Sequence, residues 1–291
     1  MLAALIFSLP NLDWNHPTDH CEFFSGKMSV TLGELQENRK CAAYDIGYDP
    51  VFMDIASSKG YAHALYQTLN LLPGSFMTLA PVCSSFVYMS RGSTGRTRAA
   101  PEGRPGKATD FGNLMAARCV ILIWLASCKG VAWVLEQPRG SILEHLKVMQ
   151  GLFGKLRVYK KHIRMGDFGA ASEKGTWLYS SHKFIDDIYK HKPYTVPLEK
   201  KKAVQLVDHY TDRRGQRRIK GNAQLKGSQA YPLPFGKALA KLRTAHAVEV
   251  RSDAQALLRR KVIKKRKGVQ FSSYWLKAAK LEPVLEYLTS A

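Results

Sequence analysis

The stretch CEFFSGKMSVTLGELQENRKCAAYDI, residues 21–46, decides how the chain is read. A short apolar run, CEFF, stops at Ser25-Gly26, and the mixed stretch SVTLGELQENRK follows before a second short run, CAAYDI. Short apolar runs bounded by turn residues fit buried strands, and the longer mixed stretch between them fits a helix. Gly26 stands where the first strand gives way to the helix, a place where a tight turn lets a ligand approach the backbone.

The same alternation runs outward from this unit. GYAHALYQTLNLL reads as a helix closed by Pro73-Gly74, SFMTLA as a strand, and TDFGNLMAARCVILIWLASCKG as a helix capped at Thr109 or Asp110 and ended by Gly130. VAWVLE is a strand, GSILEHLKVMQGLF is helical, and LRVYKKHIRM and GTWLYSS are two late strands. Between SFMTLA and the long helix lies SRGSTGRTRAAPEGRPGK, a Gly-, Arg- and Pro-rich loop with no hydrophobic period. The pattern predicts an α/β fold, a doubly wound Rossmann-like sheet with helices on both faces, over residues 20–180. Residues 1–19 read as an N-terminal packing segment and 181–226 as a short basic insertion. Residues 227–247, with a helix at 236–247, read as a return segment, and 248–291 as a basic C-terminal tail. No internal repeat is visible.

The 291 residues carry 44 Lys and Arg against 23 Asp and Glu, a net charge of +21. Residues 1–155 hold 14 basic and 12 acidic side chains, whereas residues 156–291 hold 30 and 11. A near-neutral first half followed by a strongly basic second half suggests a pocket-bearing core joined to a polyanion-binding surface; a solubilising tail is the plainer alternative. The five cysteines are odd in number and form no C-x-x-C pair, which argues against a zinc ribbon or disulfide framework and for a reducing, intracellular setting. No histidine has ligand spacing, so no metal is expected. The start, MLAALIFSLP, lacks a basic leader, and the apolar stretch from Met115 to Cys128 contains Arg118 and is short for a bilayer; no membrane is expected. DFG occurs twice without the other kinase signatures. KKRK at 264–267 fits a nuclear-import patch or a phosphate contact.

In a doubly wound sheet ligands bind at the carboxyl ends of the strands. That rule selects Ser25-Gly26, Asp45, Cys83 and Glu136-Gln137-Pro138. Asp45 lies nineteen residues beyond Gly26 at the end of the next strand, where an acid can accept hydrogen bonds from ribose hydroxyls. Cys83 by itself reads more readily as a buried thiol that ends a strand, and Asp54 at least as readily as a helix cap.

The series E-F-F-S-G (22–26), Asp45, A-P-V-C-S-S-F (80–86), L-E-Q-P (135–138) and MGDFGAASEKGTWLYSS (165–181) resembles the cytosine-5 DNA methyltransferase family. The resemblance covers about residues 20–180, with GSQAYPLPFGKALA (227–240) similar to the closing motif. It lies in order and spacing more than in identity. Met28 and Ser29 stand where the family has glycines, Val82 where it has a proline, and the late motif keeps only Asp167, Phe168, Gly169 and Lys174. The resemblance implies a methyltransferase sheet that binds S-adenosylmethionine through Phe24, Ser25, Gly26, Asp45, Asp54 and Pro81. It implies Cys83 as nucleophile, with a lowered thiol pKa, and Glu136 as the group that holds the target base. It implies DNA as substrate, RNA remaining open, with a flipped cytosine and phosphate contacts from Arg91, Arg96, Arg98, Arg164 and Lys174. Residues 181–226 would be a reduced target-recognition region. Two other readings stay open: a nucleic-acid-binding protein that keeps the fold without catalysis, and a methyltransferase of another target class.

Overall fold

Strand-forming runs buried on both sides need helices on both faces, and the observed layers follow from that need. A computed structural model describes residues 15–192 and 204–263. Six strands form one sheet: β1 (Thr18–Phe23), β2 (Cys41–Tyr44), β3 (Leu71–Leu79), β4 (Ala132–Pro138), β5 (Tyr159–Arg164) and β6 (Gly175–Ser180), in the order β2-β1-β3-β4-β6-β5. β1 to β4 run parallel, while β6 inserts antiparallel between β4 and β5. The fold is mixed α/β, with a mostly parallel sheet compatible with a Rossmann-like architecture. The chain leaves β1 toward one side of the sheet and returns to add β3 on the other, so the order reverses between β1 and β3.

The helices are α1 (Ser29–Gln36), α2 (Ser58–Leu69), α3 (Arg91–Thr94), α4 (Lys107–Lys129), α5 (Lys147–Phe153), α6 (Ala223–Gly227), α7 (Leu233–Ala245) and α8 (Ala247–Ile263). α4 ends at Gly130, whose φ of 73° supplies the left-handed cap expected there. By length and composition α4 could cross a membrane, yet 67% of its most apolar window is buried inside the protein. Arg118, within it, is spent on the carbonyls of Ile55 (2.5 Å) and Ser57 (2.9 Å) and stacks over Tyr61. LLPG, read as the close of α2, instead opens β3.

Period-two alternation divides the strands between two cores. Cys21, Phe23, Met77, Leu79, Trp133 and Leu135 pack with α2, α4 and α5. Phe76, Ala132, Val134, Ile163 and Leu178 pack with α1, α7 and the 3-10 segment Lys183–His191. A fully buried Leu or Phe contributes roughly 1.5–3 kcal/mol, so both faces matter to stability. The second face is completed from far along the chain. α7 crosses α1 so closely that a Cβ at Gly236 would sit 1.8 Å from the Ser29 carbonyl oxygen, and one at Gly33 would sit 2.6 Å from Gly236. Beside this crossing Glu34, fully buried, accepts from Arg39 (2.5 Å) and Arg243 (2.9 Å).

Two expectations about the second half change. The basic insertion starts with core: Phe184, Ile185 and Ile188 are buried. It then forms a separate antiparallel ribbon, β7 (Val207–Thr211) and β8 (Arg217–Gly221). The stretch from 248 does not begin as a tail, because α8 buries Val250 and Ala254, with Ala254 packed against the backbone of Gly130. KKRK 264–267, the remainder of the expected tail and residues 1–14 of the packing segment lie outside the described residues.

Candidate active site

The turn after β1 is built from left-handed backbone. Phe24, Gly26 and Met28 have φ of 61°, 50° and 55°. Only Gly26 adopts this conformation freely; at a residue with a Cβ it costs about 1 kcal/mol or more. The Gly26 N–H donates to Asp45 Oδ2 at 2.9 Å, the Gly47 N–H donates to Asp45 Oδ1 at 2.8 Å, and the Tyr48 hydroxyl donates to the Gly26 carbonyl. Gly26 and Asp45 are thus brought together and bonded to each other, with open space above Gly26, where a Cβ would meet nothing within 4 Å. Beneath the turn, Glu22 accepts from the Thr31 N–H and hydroxyl, both at 2.7 Å, and from the Val30 N–H at 3.4 Å. A carboxylate there caps the start of α1, but burial outweighs these bonds and pushes the Glu22 pKa up to about 7.

The turn after β3 carries Pro81, Val82 and Cys83. Pro81 is buried and Val82 exposed. Gln137, beside Glu136 at the end of β4, donates from Nε2 to the Pro81 carbonyl at 2.9 Å and accepts from Ser141 at 2.8 Å. One amide therefore fixes the Cys83 turn against the strand that carries Glu136. Cys83 is half-buried, and its carbonyl accepts from the Phe86 N–H at 2.9 Å. The expected lowering of the thiol pKa is not found: burial pushes it up, the Glu136 carboxylate adds to the rise, and Lys174 opposes both.

Lys174 is accordingly moved from the surface to the site. Its Nζ lies 3.6 Å from Glu136 Oε1, and its side chain is 16% exposed. Arg96 also departs from the expectation of a phosphate contact. It is 1% exposed, and its guanidinium bonds the Pro101 carbonyl, Asn113 Oδ1 (2.9 Å) and the Thr109 carbonyl (2.9 Å) while stacking over Phe86. It organises the loop from inside. Arg91 is half-buried over the Tyr88 ring, and Arg98 is exposed. Arg164 is exposed at the end of β5 but bonded twice to Asp167 at 3.1 Å. Asp54 accepts from the Ala56 N–H at 2.9 Å, while the cap of α2 is Ser57.

A row of groups on the α1/α7 face lies beneath these turns. Glu22 pairs across the sheet with Thr78, Thr78 with Val134, and Glu136 stands two residues further along the same face. Tyr231, from the segment leading into α7, joins them around a cavity also lined by Leu178, Phe235 and Leu239. Two buried hydroxyls around this end of the sheet, Ser25 Oγ and Thr78 Oγ1, make no hydrogen bond among the described residues, while the buried Glu136 carboxyl has only the Tyr231 hydroxyl and Lys174 beside it. Burial, then the nearby Glu136 carboxylate, pushes the Tyr231 pKa well above its usual value. Buried polar groups are ordinarily satisfied, so the two that are not, near the reversal of strand order, make this end of the sheet the candidate ligand site.

No family model and no curated protein matches the chain.

Among the described residues no group of three or more His, Cys, Asp or Glu is placed to hold a metal. Thr78 and Tyr231 were not apparent from the sequence. The alternation of β3 gave Thr78 a face but no partner. Tyr231 lies in the expected return segment 227–247, but nothing in its local pattern singled it out as a member of the site.

Proposed function

We propose that the protein is an S-adenosylmethionine-dependent methyltransferase acting on carbon 5 of cytosine in DNA. The observation that carries this reading is the convergence of Gly26, Asp45, Cys83 and Glu136 at the carboxyl ends of β1 to β4, around the reversal between β1 and β3. The residues suit a nucleoside cofactor: open space over Gly26, an acid bonded to its turn, and the unpartnered Ser25 hydroxyl beside it. Phe24, Ser25, Gly26, Asp45 and Pro81 would hold it. Asp45 retains accepting capacity, because a carboxylate offers about four lone-pair sites and two are taken here. The bound cofactor supplies an electrophilic methyl group.

The protein's own residues would do the rest. The Cys83 thiolate adds to carbon 6 of the ring, which makes carbon 5 nucleophilic. Glu136 hydrogen-bonds the ring nitrogen and amino group, with Lys174 and Tyr231 fixing its carboxyl. After methylation a base removes the carbon-5 proton, the ring's double bond re-forms and the thiolate leaves. Incubation with tritiated S-adenosylmethionine and DNA or RNA tests this. Wild type is expected to label DNA and Cys83→Ala to lose the label. Covalent capture on 5-fluorocytosine DNA should likewise require both Cys83 and the cofactor. Labelling unchanged in Cys83→Ala overturns the nucleophile assignment.

The raised Cys83 pKa, together with Met28 held at a positive φ, favours a second reading, a nucleic-acid-binding protein without catalysis. Calorimetry with S-adenosylmethionine separates the two, since that reading expects no binding. The Cys83 environment itself has a sign that can be checked. Glu136 disfavours the thiolate and Lys174 favours it, so Glu136→Gln should lower the pH at which iodoacetamide alkylates Cys83 and Lys174→Met should raise it. Peptide mass spectrometry reads this residue apart from the other cysteines.

A further inference from the structure

Beneath the two turns, one buried oxygen in the row on the α1/α7 face has nothing to bond. Glu22, Thr78 and Glu136 share that face and are 2%, 6% and 7% exposed. Glu22 and Glu136 sit on the strands that flank β3, two strand spacings or roughly 10 Å apart. The small cavity between them is lined by both carboxyls, Thr78 and Tyr231, and closed by Val134 and Phe235. Its volume of about 10 Å³ suits a single water, which ordinarily makes about three hydrogen bonds when buried. Thr78 Oγ1, without a partner among the described residues, can donate one and accept another. Glu22 keeps unused lone pairs after the bonds from Thr31 and Val30, and Glu136 keeps them after the bond from the Tyr231 hydroxyl.

Glu22 is suited to hold and release a proton near neutral pH. Burial pushes its pKa up to about 7, the bonds from Thr31 and Val30 oppose the rise, and Asp45 adds to it. The other titratable groups around it are Cys21 on its own strand and Tyr231 from the segment before α7. α1 presents the Thr31 hydroxyl and backbone N–H groups to it, and α7 lines the cavity with Phe235 and Leu239. At the far end of the row the Lys174 ammonium, 3.6 Å from Glu136, stabilises negative charge. A proton and a negative charge are thus favoured at opposite ends of one short path.

We propose that one water in this cavity, held by Thr78 Oγ1, joins Glu22 to the Glu136–Tyr231 pair and makes Glu22 the proton store for Glu136. The use of this path rests on the methyltransferase reading; the path itself does not. When the Cys83 sulfur bonds to carbon 6, the displaced electron pair reaches the ring nitrogen, which takes a proton through Glu136. The water resupplies Glu136, and Glu22 resupplies the water. Once the methyl is on carbon 5, the ring nitrogen returns the proton along the same route.

The test is carbon-13 NMR titration of the full chain labelled at its glutamate carboxyls, with Glu22 and Glu136 assigned through their Gln variants. Glu136→Gln removes a like charge and the far end of the bridge, so it should lower the Glu22 midpoint by about 1 pH unit, the size at which two sites titrate as a pair. Thr78→Val keeps the side-chain shape without the hydroxyl and should abolish this response, whereas Thr78→Ser should keep it. An effect of charge through space would survive Thr78→Val. On 5-fluorocytosine DNA, Glu22→Gln and Thr78→Val should each slow covalent capture at least about tenfold without changing DNA affinity. Thr78→Val leaves Glu22 and its bonds to α1 in place, and unchanged circular dichroism should show that it folds. A Glu22 midpoint that ignores Glu136→Gln, or that follows it equally in Thr78→Val, overturns the proposal, as does capture at the wild-type rate in both variants. Coupling without any methyl transfer supports the path and overturns the methyltransferase; methyl transfer without coupling overturns the path alone.

Discussion

The loop 90–107 and the ribbon 207–221 are both rich in arginine, and the protein uses that arginine in opposite ways. Gly95 and Gly103, at φ of 63° and 71°, bend the loop around Arg96, and the Pro101 and Thr109 carbonyls accept from its guanidinium. No loop wraps the guanidiniums of the ribbon: Arg218 bonds Asp212 (2.8 Å) and Gln216 (2.6 Å), and Arg213, Arg214 and Arg217 are exposed. Where free carbonyls and an aromatic face lie within reach, an arginine becomes architecture. Where the chain does not fold back around it, the side chain stays in solvent.

The largest expected effect that could break this contrast is at Arg96. Arg96→Ala removes the guanidinium bonded to the Pro101 and Thr109 carbonyls and to the Asn113 amide oxygen, together with its stack over Phe86, and it should cost about 3 kcal/mol in urea unfolding. The contrast fails if this variant is as stable as wild type. A matched pair of glycines sharpens it. Gly103→Ala combines a positive φ with a Cβ 2.7 Å from the Thr94 carbonyl oxygen and should cost about 2 kcal/mol in the same assay. Gly215→Ala, at φ 74° with nothing within 4 Å, should cost only about 1 kcal/mol, read as faster amide exchange within the ribbon. Smallest of all, Arg213→Ala, Arg214→Ala and Arg217→Ala should each leave unfolding within about 0.5 kcal/mol of wild type.

Much of the sheet was legible because short apolar runs and glycine stops report strands and turns directly. The positions of Gly26, Asp45, Cys83 and Glu136 at strand ends followed from that reading. The reversed direction of β6 was not legible, since the apolar pattern of GTWLYSS is the same whichever way the strand runs. The ribbon escaped because VDHYT and RRIKG bury no face and so show no alternation; the left-handed Gly215 turn was its only signal. Arg96 and Lys174 were misplaced for one reason. A long cation reads as surface in any linear pattern, and only the fold reveals which acceptors surround it. Met28 illustrates the reverse case, in which a residue type that resists left-handed backbone is held there by the surrounding turn.

The crossing of α1 and α7 has a consequence for how the chain is made. Glu34 and Arg243, 209 residues apart, meet in the same buried contact, and the backbones of Gly33 and Gly236 touch. While the ribosome is still adding residues before α7, the strands can pair and α2, α4 and α5 can cover one side. On the other side α1 and the Lys183–His191 segment can cover only part of the face, and Val30, Phe76, Val134 and Leu178 must wait for α7 to complete it. Contacts so distant in sequence form late, and exposed apolar surface in the interval invites aggregation. Synthesis arrested just short of α7 would leave one face of the sheet incompletely covered, the form of this protein most in need of a chaperone.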